Sequence, residues 1–290
     1  MSDRYDKPLN EFEEKLLVGE SCGFLNIDKF IGGIRSNDLI LIGSRPQIGR
    51  TSFLLSIANH IAVRKNKVAL IVSLEMNQEK LGDRFLSMES GIEAHRLWKN
   101  DLDESDWDKL ACATGKLSPV KIILETSPNA DAVLIEKLAK NISSNLLKKS
   151  DFGMIGIDFL QEIGPHIGGR DRKNFYINVI KKLKEIANTV NVPIFLCSNL
   201  STGIDQRGNK RPLVSDIESY DQIEKFLDLI FLLYRDQHYF LDSDDKGIAE
   251  VQIAKNRGLD IPSRPIRLAF LPHLTKFANL ALRDDDHSYN

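Results

Sequence analysis

Five short apolar runs punctuate the chain between residues 39 and 197: Leu39 to Ile42, Val68 to Val72, Val120 to Leu124, Met154 to Asp158 and Pro193 to Cys197. Continuous apolar runs of this length form strands buried on both faces, and strands separated by long amphipathic stretches pair in parallel through crossover helices. The crossovers are predicted at Thr51 to Lys65, Asn77 to Glu89, Ala130 to Lys148 and Asn174 to Val190, where apolar residues recur three or four apart, as Leu54, Ile57, Ala58 and Ile61 do. From Phe226 onward the texture changes. Phe226 to Leu233, Ile248 to Ala254, Pro265 to Phe270 and Leu274 to Phe277 are separated by short turns and suit antiparallel strands that extend the sheet. The expected fold class is α/β, a mostly parallel twisted sheet flanked by helices with C-terminal antiparallel strands.

Composition narrows the function classes. The 290 residues fit one large α/β domain, and 39 Lys+Arg against 41 Asp+Glu leave a net charge of −2, so any nucleic-acid surface must be local. No apolar run approaches the roughly 18 to 20 residues of a membrane span. The N-terminus is charged from its third residue and lacks the apolar core of a signal peptide, so a cytoplasmic protein is expected. Cys22, Cys112 and Cys197 are odd in number and never form a CxxC pair, which argues against a disulfide framework and a thiolate zinc site. Ahead of Cys22, the spacing of Leu9, Phe12, Leu16 and Leu17 predicts a short amphipathic helix.

The chemistry concentrates where the first strand meets its crossover. Leu39 to Ile42 runs into Gly43-Ser44-Arg45-Pro46-Gln47-Ile48-Gly49-Arg50-Thr51-Ser52 and then into an amphipathic helix, the strand-loop-helix context of a phosphate-binding loop. In such a loop the backbone N–H groups and helix N-terminus surround phosphates, a Lys reaches the outer ones, and a Ser/Thr hydroxyl holds Mg²⁺. Set on G-x-x-x-x-G-K-[ST], Ser44 takes the first Gly, Gly49 the second, Arg50 the Lys and Thr51 the hydroxyl. Two of the four positions depart, and the loop alone is equally compatible with a plain strand-to-helix turn. Two carboxylates add to it. Glu75 follows the Val68 to Val72 strand, expected to lie beside the loop strand, where a carboxylate can activate a water. Asp158 closes the Met154 to Asp158 strand in the form that supports a Mg²⁺ shell.

Together these pieces resemble the C-terminal motor domain of the DnaB-type hexameric DNA helicases, a branch of the RecA-like P-loop NTPases. The resemblance runs colinearly from Gly23 to Asn279. It begins with Gly23-Phe24-Leu25-Asn26-Ile27-Asp28-Lys29-Phe30-Ile31-Gly32-Gly33 and continues through Arg45-Pro46, Ser73-Leu74-Glu75-Met76, Ile157-Asp158-Phe159-Leu160-Gln161, Lys210-Arg211-Pro212 with Ser215-Asp216, and Ile253-Ala254-Lys255-Asn256-Arg257. It implies a linker helix over 1–22, a RecA-like ATPase domain over 23–280, a polar tail over 281–290, and no separate helical N-terminal domain. ATP and Mg²⁺ are the implied cofactors. Ser44 to Ser52 and Asn199 would contact the nucleotide, Thr51 and Asp158 the Mg²⁺, and Glu75 would act as catalytic base. Arg257 with Lys255 would reach into the active site of the next subunit. The implied partners are single-stranded DNA, copies of the chain in an oligomer such as a hexameric ring, and a helicase or loader protein.

The departures bear on activity. Arg50 stands for the Lys, and a planar guanidinium fork does not deliver the point charge of an ammonium. Asn199 stands for the Gln of the family's Ser-Gln-Leu motif. Glu218 and Asp221 stand for the Arg and Gly of its S-D-L-R-E-S-G loop and add negative charge there. Between Gly164 and Pro212, however, Arg170, Arg172, Lys173, Lys181, Lys182, Lys184, Arg207, Lys210 and Arg211 face only Asp171, Glu185 and Asp205. Of these, Arg170, Arg172, Lys173, Arg207, Lys210 and Arg211 are the candidate DNA contacts, while the three helix lysines equally suit a solvated face. The sequence therefore points to an ATP-binding, DnaB-like replication protein with weakened ATPase and unwinding. The alternative it leaves open is an inactive relative that serves as an assembly or regulatory partner of a helicase.

Overall fold

A computed structural model describes residues 17–146, 148, 151–164 and 169–280, with the backbone alone for 169–172. Its elements in chain order are α1 (Leu25–Ile31), β1 (Leu39–Ser44), α2 (Arg50–Asn59), β2 (Val68–Ser73), α3 (Gln78–Ser90), α4 (Ala94–Lys99), α5 (Glu104–Leu117), β3 (Ile122–Glu125), α6 (Ala132–Asn145), β4 (Phe152–Asp158), α7 (Gly169–Val190), β5 (Ile194–Asn199), β6 (Leu229–Tyr234), β7 (Ile248–Asn256), β8 (Ile266–Leu271) and β9 (Lys276–Ala278). The nine strands form one sheet in the order β3-β2-β4-β5-β1-β6-β7-β8-β9. Pairing is parallel from β3 through β6 and antiparallel from β6 to β9, as the two textures of the sequence require.

One expectation is corrected. β2 does not neighbour β1; β4 and β5 lie between them. The crossover through α2 passes over two intervening strands, so the loop after β1 opens over the carboxyl ends of β5 and β4. The placement of Asn199 and Asp158 follows from that step. Boundaries shift as well. The first crossover finishes as a π-helical turn at His60–Arg64, and Glu224–Phe226 is a 3₁₀ turn, so β6 begins at Leu229. α4 and α5, which the apolar-run pattern did not reveal, fill the long connection between β2 and β3. The predicted linker helix falls mostly on residues 1–16, outside the described residues, as does the tail 281–290.

Both faces of the sheet are covered, so alternate residues of one strand serve different cores. Ile40 and Ile42 pack with α1, α2, α3 and the C-terminal strands, while Leu39 and Leu41 pack with α6 and α7. Phe53 of α2 centres the first core, stacking on Phe24 at 5.0 Å and meeting Phe277 edge-on at 5.3 Å. Aromatic contacts of this kind fix the angle of α2, and with it the aim of its N-terminus.

The Gly23 to Gly33 segment owes its pattern to one buried carboxylate. Asp28 accepts the Ser21 hydroxyl at 2.6 Å and the Cys22 N–H at 2.8 Å, and it is fully buried. Gly32 caps α1 at a φ of 71°. Burial pushes the Asp28 carboxyl above its ordinary value against the lowering effect of these donors. A folded-state pKa above the unfolded one adds stability that is complete at low pH and is lost as pH rises through the folded value. Asp28→Ala, which strands the two donors, is expected to cost about 1–3 kcal/mol in denaturant unfolding. Asp28→Asn should cost less and remove the pH-linked decline from the stability profile.

Candidate nucleotide site

The site is built on the carboxyl ends of β1, β5, β4 and β2 and on the N-terminus of α2. Gly49 takes a φ of 113° before α2, and a Cβ there would stand 3.0 Å from Phe270 and 3.1 Å from Phe277. The second Gly of the loop is thus required both for its backbone turn and for its fit against the C-terminal strands. Gln47 adds a second left-handed residue, with a φ of 63°. Its carbonyl and that of Ile48 accept Arg235 Nη1 at 3.2 and 3.4 Å, and the Arg235 guanidinium lies 4.2 Å from the Phe270 ring centre. Burial lowers the Arg235 pKa. The sequence reading assigned Arg235 no role; in the structure it props the loop backbone.

Asp158, 1% exposed at the end of β4, organises the interior of the site. Its Oδ2 accepts the Thr51 hydroxyl at 2.8 Å, while its Oδ1 is buried without a hydrogen-bond partner among the described residues. Arg50 supplies the facing cation: its Nε lies 3.9 Å from Oδ1 and is itself buried without a hydrogen-bond partner among the described residues. Arg50 also places its guanidinium 5.0 Å from the centre of the Phe159 ring and donates from Nη1 to Asn199 Oδ1 at 2.7 Å. A buried carboxylate oxygen left open beside a threonine hydroxyl is a hard-oxygen donor set of the kind Mg²⁺ takes, so these residues fit the ion. No group of three or more His, Cys, Asp or Glu that could hold a metal assembles among the described residues. Cys197, on β5, has its thiol pushed well up by burial and then by Asp158, so it stays protonated.

Glu75 is exposed just past β2, whose Ser73 pairs in register with Asp158. Arg84, on α3, is the residue that sequence reasoning missed. Its Nη1 reaches Ser52 Oγ at 3.5 Å. Burial lowers its pKa, while Asp158 and then Glu75 raise it. The signal was available as a basic residue nine positions past Glu75 on the predicted helix, but only the packing of α3 against α2 turns it toward the site.

The remaining candidates scatter. Ser44 is buried and donates to the Arg45 carbonyl at 2.9 Å. Arg45 leaves the loop sideways, with Nη2 2.7 Å from Asp205 and Nη1 3.0 Å from the Leu200 carbonyl. Pro46 is exposed and Ile48 buried. Lys255 and Arg257 lie at the opposite end of the sheet, because β7 runs antiparallel to β6 while β6 runs parallel to β1. In register Lys255 lies level with Leu41 and Asn256 level with Ile40, so both basic residues stand before the loop on the amino-terminal side of β1, and their side chains are held there. Lys255 donates to the Glu224 carbonyl at 2.6 Å. Arg257 is held by Asp38, by the Ile31 carbonyl at 2.9 Å and by the Gly33 carbonyl at 2.9 Å.

The candidate DNA contacts also divide. Arg207 forms a fork to Asp216 at 3.0 and 2.8 Å, and Arg211 a fork to Glu250 at 2.7 and 2.7 Å, so both charges are neutralised at close range and tie the segment down. Lys210 donates to the Asp205 carbonyl at 2.6 Å, whereas Lys173 is exposed. The side chains of Arg170 and Arg172 lie outside the described residues. Lys182 and Lys184 pair with Glu136 at 2.7 Å and Asp228 at 2.6 Å, scaffold contacts on α7. Ser219 takes a φ of 58°, and Asp221 is inside a helical turn that starts at Tyr220. Glu218 and Asp221 are both exposed.

Thr51→Ala removes the hydrogen-bond donor of Asp158 and leaves a buried carboxylate unsatisfied at both oxygens. Thermal or denaturant unfolding is expected to show a loss of about 1–3 kcal/mol. Thr51→Ser should recover most of it.

Comparisons with known proteins give the family and the fold. The DnaB-like helicase C-terminal domain matches residues 19–279. The chain is 36% identical over 271 residues to the replicative DNA helicase DnaC of Bacillus subtilis and 35% identical over 271 residues to the replicative DNA helicase DnaB of Geobacillus stearothermophilus, spanning 93% of this chain and 58% of each relative. Among solved structures, an ATPase domain superposes with a TM-score of 0.85 at 28% identity, covering 93% of this chain and 94% of that one. A DnaB-like replicative helicase, solved in a study of its interactions with primase, superposes with a TM-score of 0.84 at 29% identity, covering 91% of this chain and 62% of that one. With its RecA-like sheet, its loop and its carboxylates in place, the chain belongs to the family of DnaB-like helicase C-terminal domains.

Proposed function

We propose that the chain is an ATP-hydrolysing motor that acts on single-stranded DNA as an oligomer in DNA replication. The observation that carries the reading is the Thr51–Asp158 pair, with the open Asp158 oxygen, at the mouth of a glycine-turned loop. Thr51 and Asp158 would hold Mg²⁺, which supplies charge neutralisation on the phosphate oxygens. The loop N–H groups and the start of α2 bind the phosphates. Glu75, exposed and beside the Asp158 strand, accepts the proton of the attacking water, and Arg84 on α3 adds positive charge on that side of the site. The ends of β7 supply the argument for assembly. Lys255 and Arg257 are tied to Glu224 and Asp38 on the side of the sheet away from their own loop, so a phosphate contact by either comes from a neighbouring copy.

The proposed DNA path runs along the start of α7 and the segment after β5, with Lys173, Arg170 and Arg172 as its basic residues. Internal pairing of Arg207 and Arg211, together with exposed Glu218 and Asp221, weakens the grip and favours low unwinding turnover.

Steady-state ATP hydrolysis with and without single-stranded DNA tests the motor. Glu75→Gln is expected to lower kcat by about 10² to 10⁴ with nucleotide affinity retained. Unchanged turnover in that variant would remove Glu75 from the reaction. Native mass with and without ATP tests the assembly. An ATP-stabilised oligomer is expected, and a monomer in both conditions would rule out a composite site.

A further inference from the structure

Arg50 is the departure that most threatens the site, and its surroundings are organised around it. It is the first residue of α2 and is 8% exposed. Its side chain crosses the loop mouth to β5, where Nη1 donates to Asn199 Oδ1 at 2.7 Å. Asn199 closes β5 in register with Ser44, the first residue of the loop proper. The acceptor is a fixed post. The Asn199 N–H donates to Gln161 Oε1 at 3.1 Å, and Gln161 Nε2 donates back to the Asn199 carbonyl at 3.2 Å and to Ser198 Oγ at 3.0 Å. Gln161 is tied in turn to α7, since the Tyr176 hydroxyl donates to its carbonyl at 3.1 Å.

We propose that Arg50 and Asn199 form a matched replacement, in which Asn199 is the positioning residue that aims Arg50 at the outer phosphate of a nucleoside triphosphate. Four features carry this. The guanidinium is longer than an ammonium and Asn is one methylene shorter than Gln, so the two departures offset each other along one line. A Gln at 199 would push its amide into the volume that the guanidinium fills. A Lys at 50 would fall short of the Asn199 oxygen and lose the Nη1 hydrogen bond. Finally, Asp158 pairs with Arg50 without a hydrogen bond, its Oδ1 staying 3.9 Å from Nε, so it takes none of the guanidinium N–H groups. Phe159 supports the guanidinium face without competing for its N–H groups.

The proposal rests on the nucleotide-binding reading, and one experiment separates the two. The full chain, Arg50→Lys, Asn199→Gln and the double variant are compared for equilibrium binding of ATP and ADP with Mg²⁺ and for kcat and KM, with thermal unfolding as a control for folding. Each single variant is expected to lose ATP affinity by about tenfold more than ADP affinity, because only ATP presents the outer phosphate. The double variant should recover to within a few-fold of the original chain, a coupling of about 30-fold or more, roughly 2 kcal/mol. Additive losses, or a gain of ATP affinity or turnover in Arg50→Lys alone, would overturn the pairing while leaving nucleotide binding intact. Absence of any nucleotide binding by the unmodified chain would overturn the underlying reading and the pairing with it. If Asn199→Gln fails to fold, Asn199→Ala replaces it. That change should weaken ATP binding when Arg50 is present and have little effect beside Arg50→Lys, and equal effects in both backgrounds would overturn the proposal.

Discussion

A single buried carboxylate, Asp158, sets the terms for the rest of the site. A negative charge at 1% exposure is costly unless neighbouring groups compensate it, and its neighbours are arranged to do so incompletely. Thr51 satisfies one oxygen, Arg50 stands just beyond hydrogen-bond reach of the other, and Arg84 contributes charge from α3. A site intended only for stability would close the Arg50–Asp158 gap into a direct fork. Instead a buried Nε and a buried Oδ1 face each other without a hydrogen bond, an unsatisfied pair of the kind that concentrates at functional sites.

That arrangement depends on a topological fact. Because α2 carries the chain over two intervening strands before β2 forms, the loop after β1 looks onto β5 and β4, not onto its successor in sequence. Asn199 and Asp158 therefore converge on Arg50 and Thr51 from strands 149 and 107 residues away along the chain. The aromatic cluster of Phe24, Phe53, Phe231 and Phe277 fixes α2 from beneath, and Phe270 with Phe277 leaves room at Gly49 for no side chain. Core packing and site geometry are thus one problem: a shift of α2 would move Arg50 and Thr51 together.

Much of this was legible in the sequence because periodicity and spacing are local properties. Unbroken apolar runs identified the parallel strands, and the change of texture at Phe226 marked the antiparallel ones. Gly49, Thr51, Glu75 and Asp158 were legible because each closes a strand or opens a helix. Strand order was not legible, since nothing in the composition of β2 says how many strands α2 must cross. Side-chain partnerships were hidden for the same reason. Arg207, Arg211 and Arg257 looked like free cations until Asp216, Glu250 and Asp38 were brought beside them by folding. Arg84 was hidden in the opposite sense, as an ordinary helix residue whose direction only packing decides.

The departures from the loop pattern change meaning once they are seen together. Taken singly, Arg50 and Asn199 each read as damage, an oversized cation and a shortened amide. In the folded chain the ends of the two meet at 2.7 Å, and Gln161 and Tyr176 brace the acceptor through β5 and α7. Glu218 and Asp221 are placed differently; they stand exposed on the segment that follows β5. Loss of function by drift would be expected to leave unmatched contacts first in the buried interior, where mismatch costs most. Here Arg50 and the half-buried Asn199 meet each other, the buried Ser44 donates to the Arg45 carbonyl, and Glu218 and Asp221 face solvent. That distribution is the one the proposed pairing of Arg50 with Asn199 requires, and it leaves Glu218 and Asp221 outside that pairing, on the exposed segment after β5.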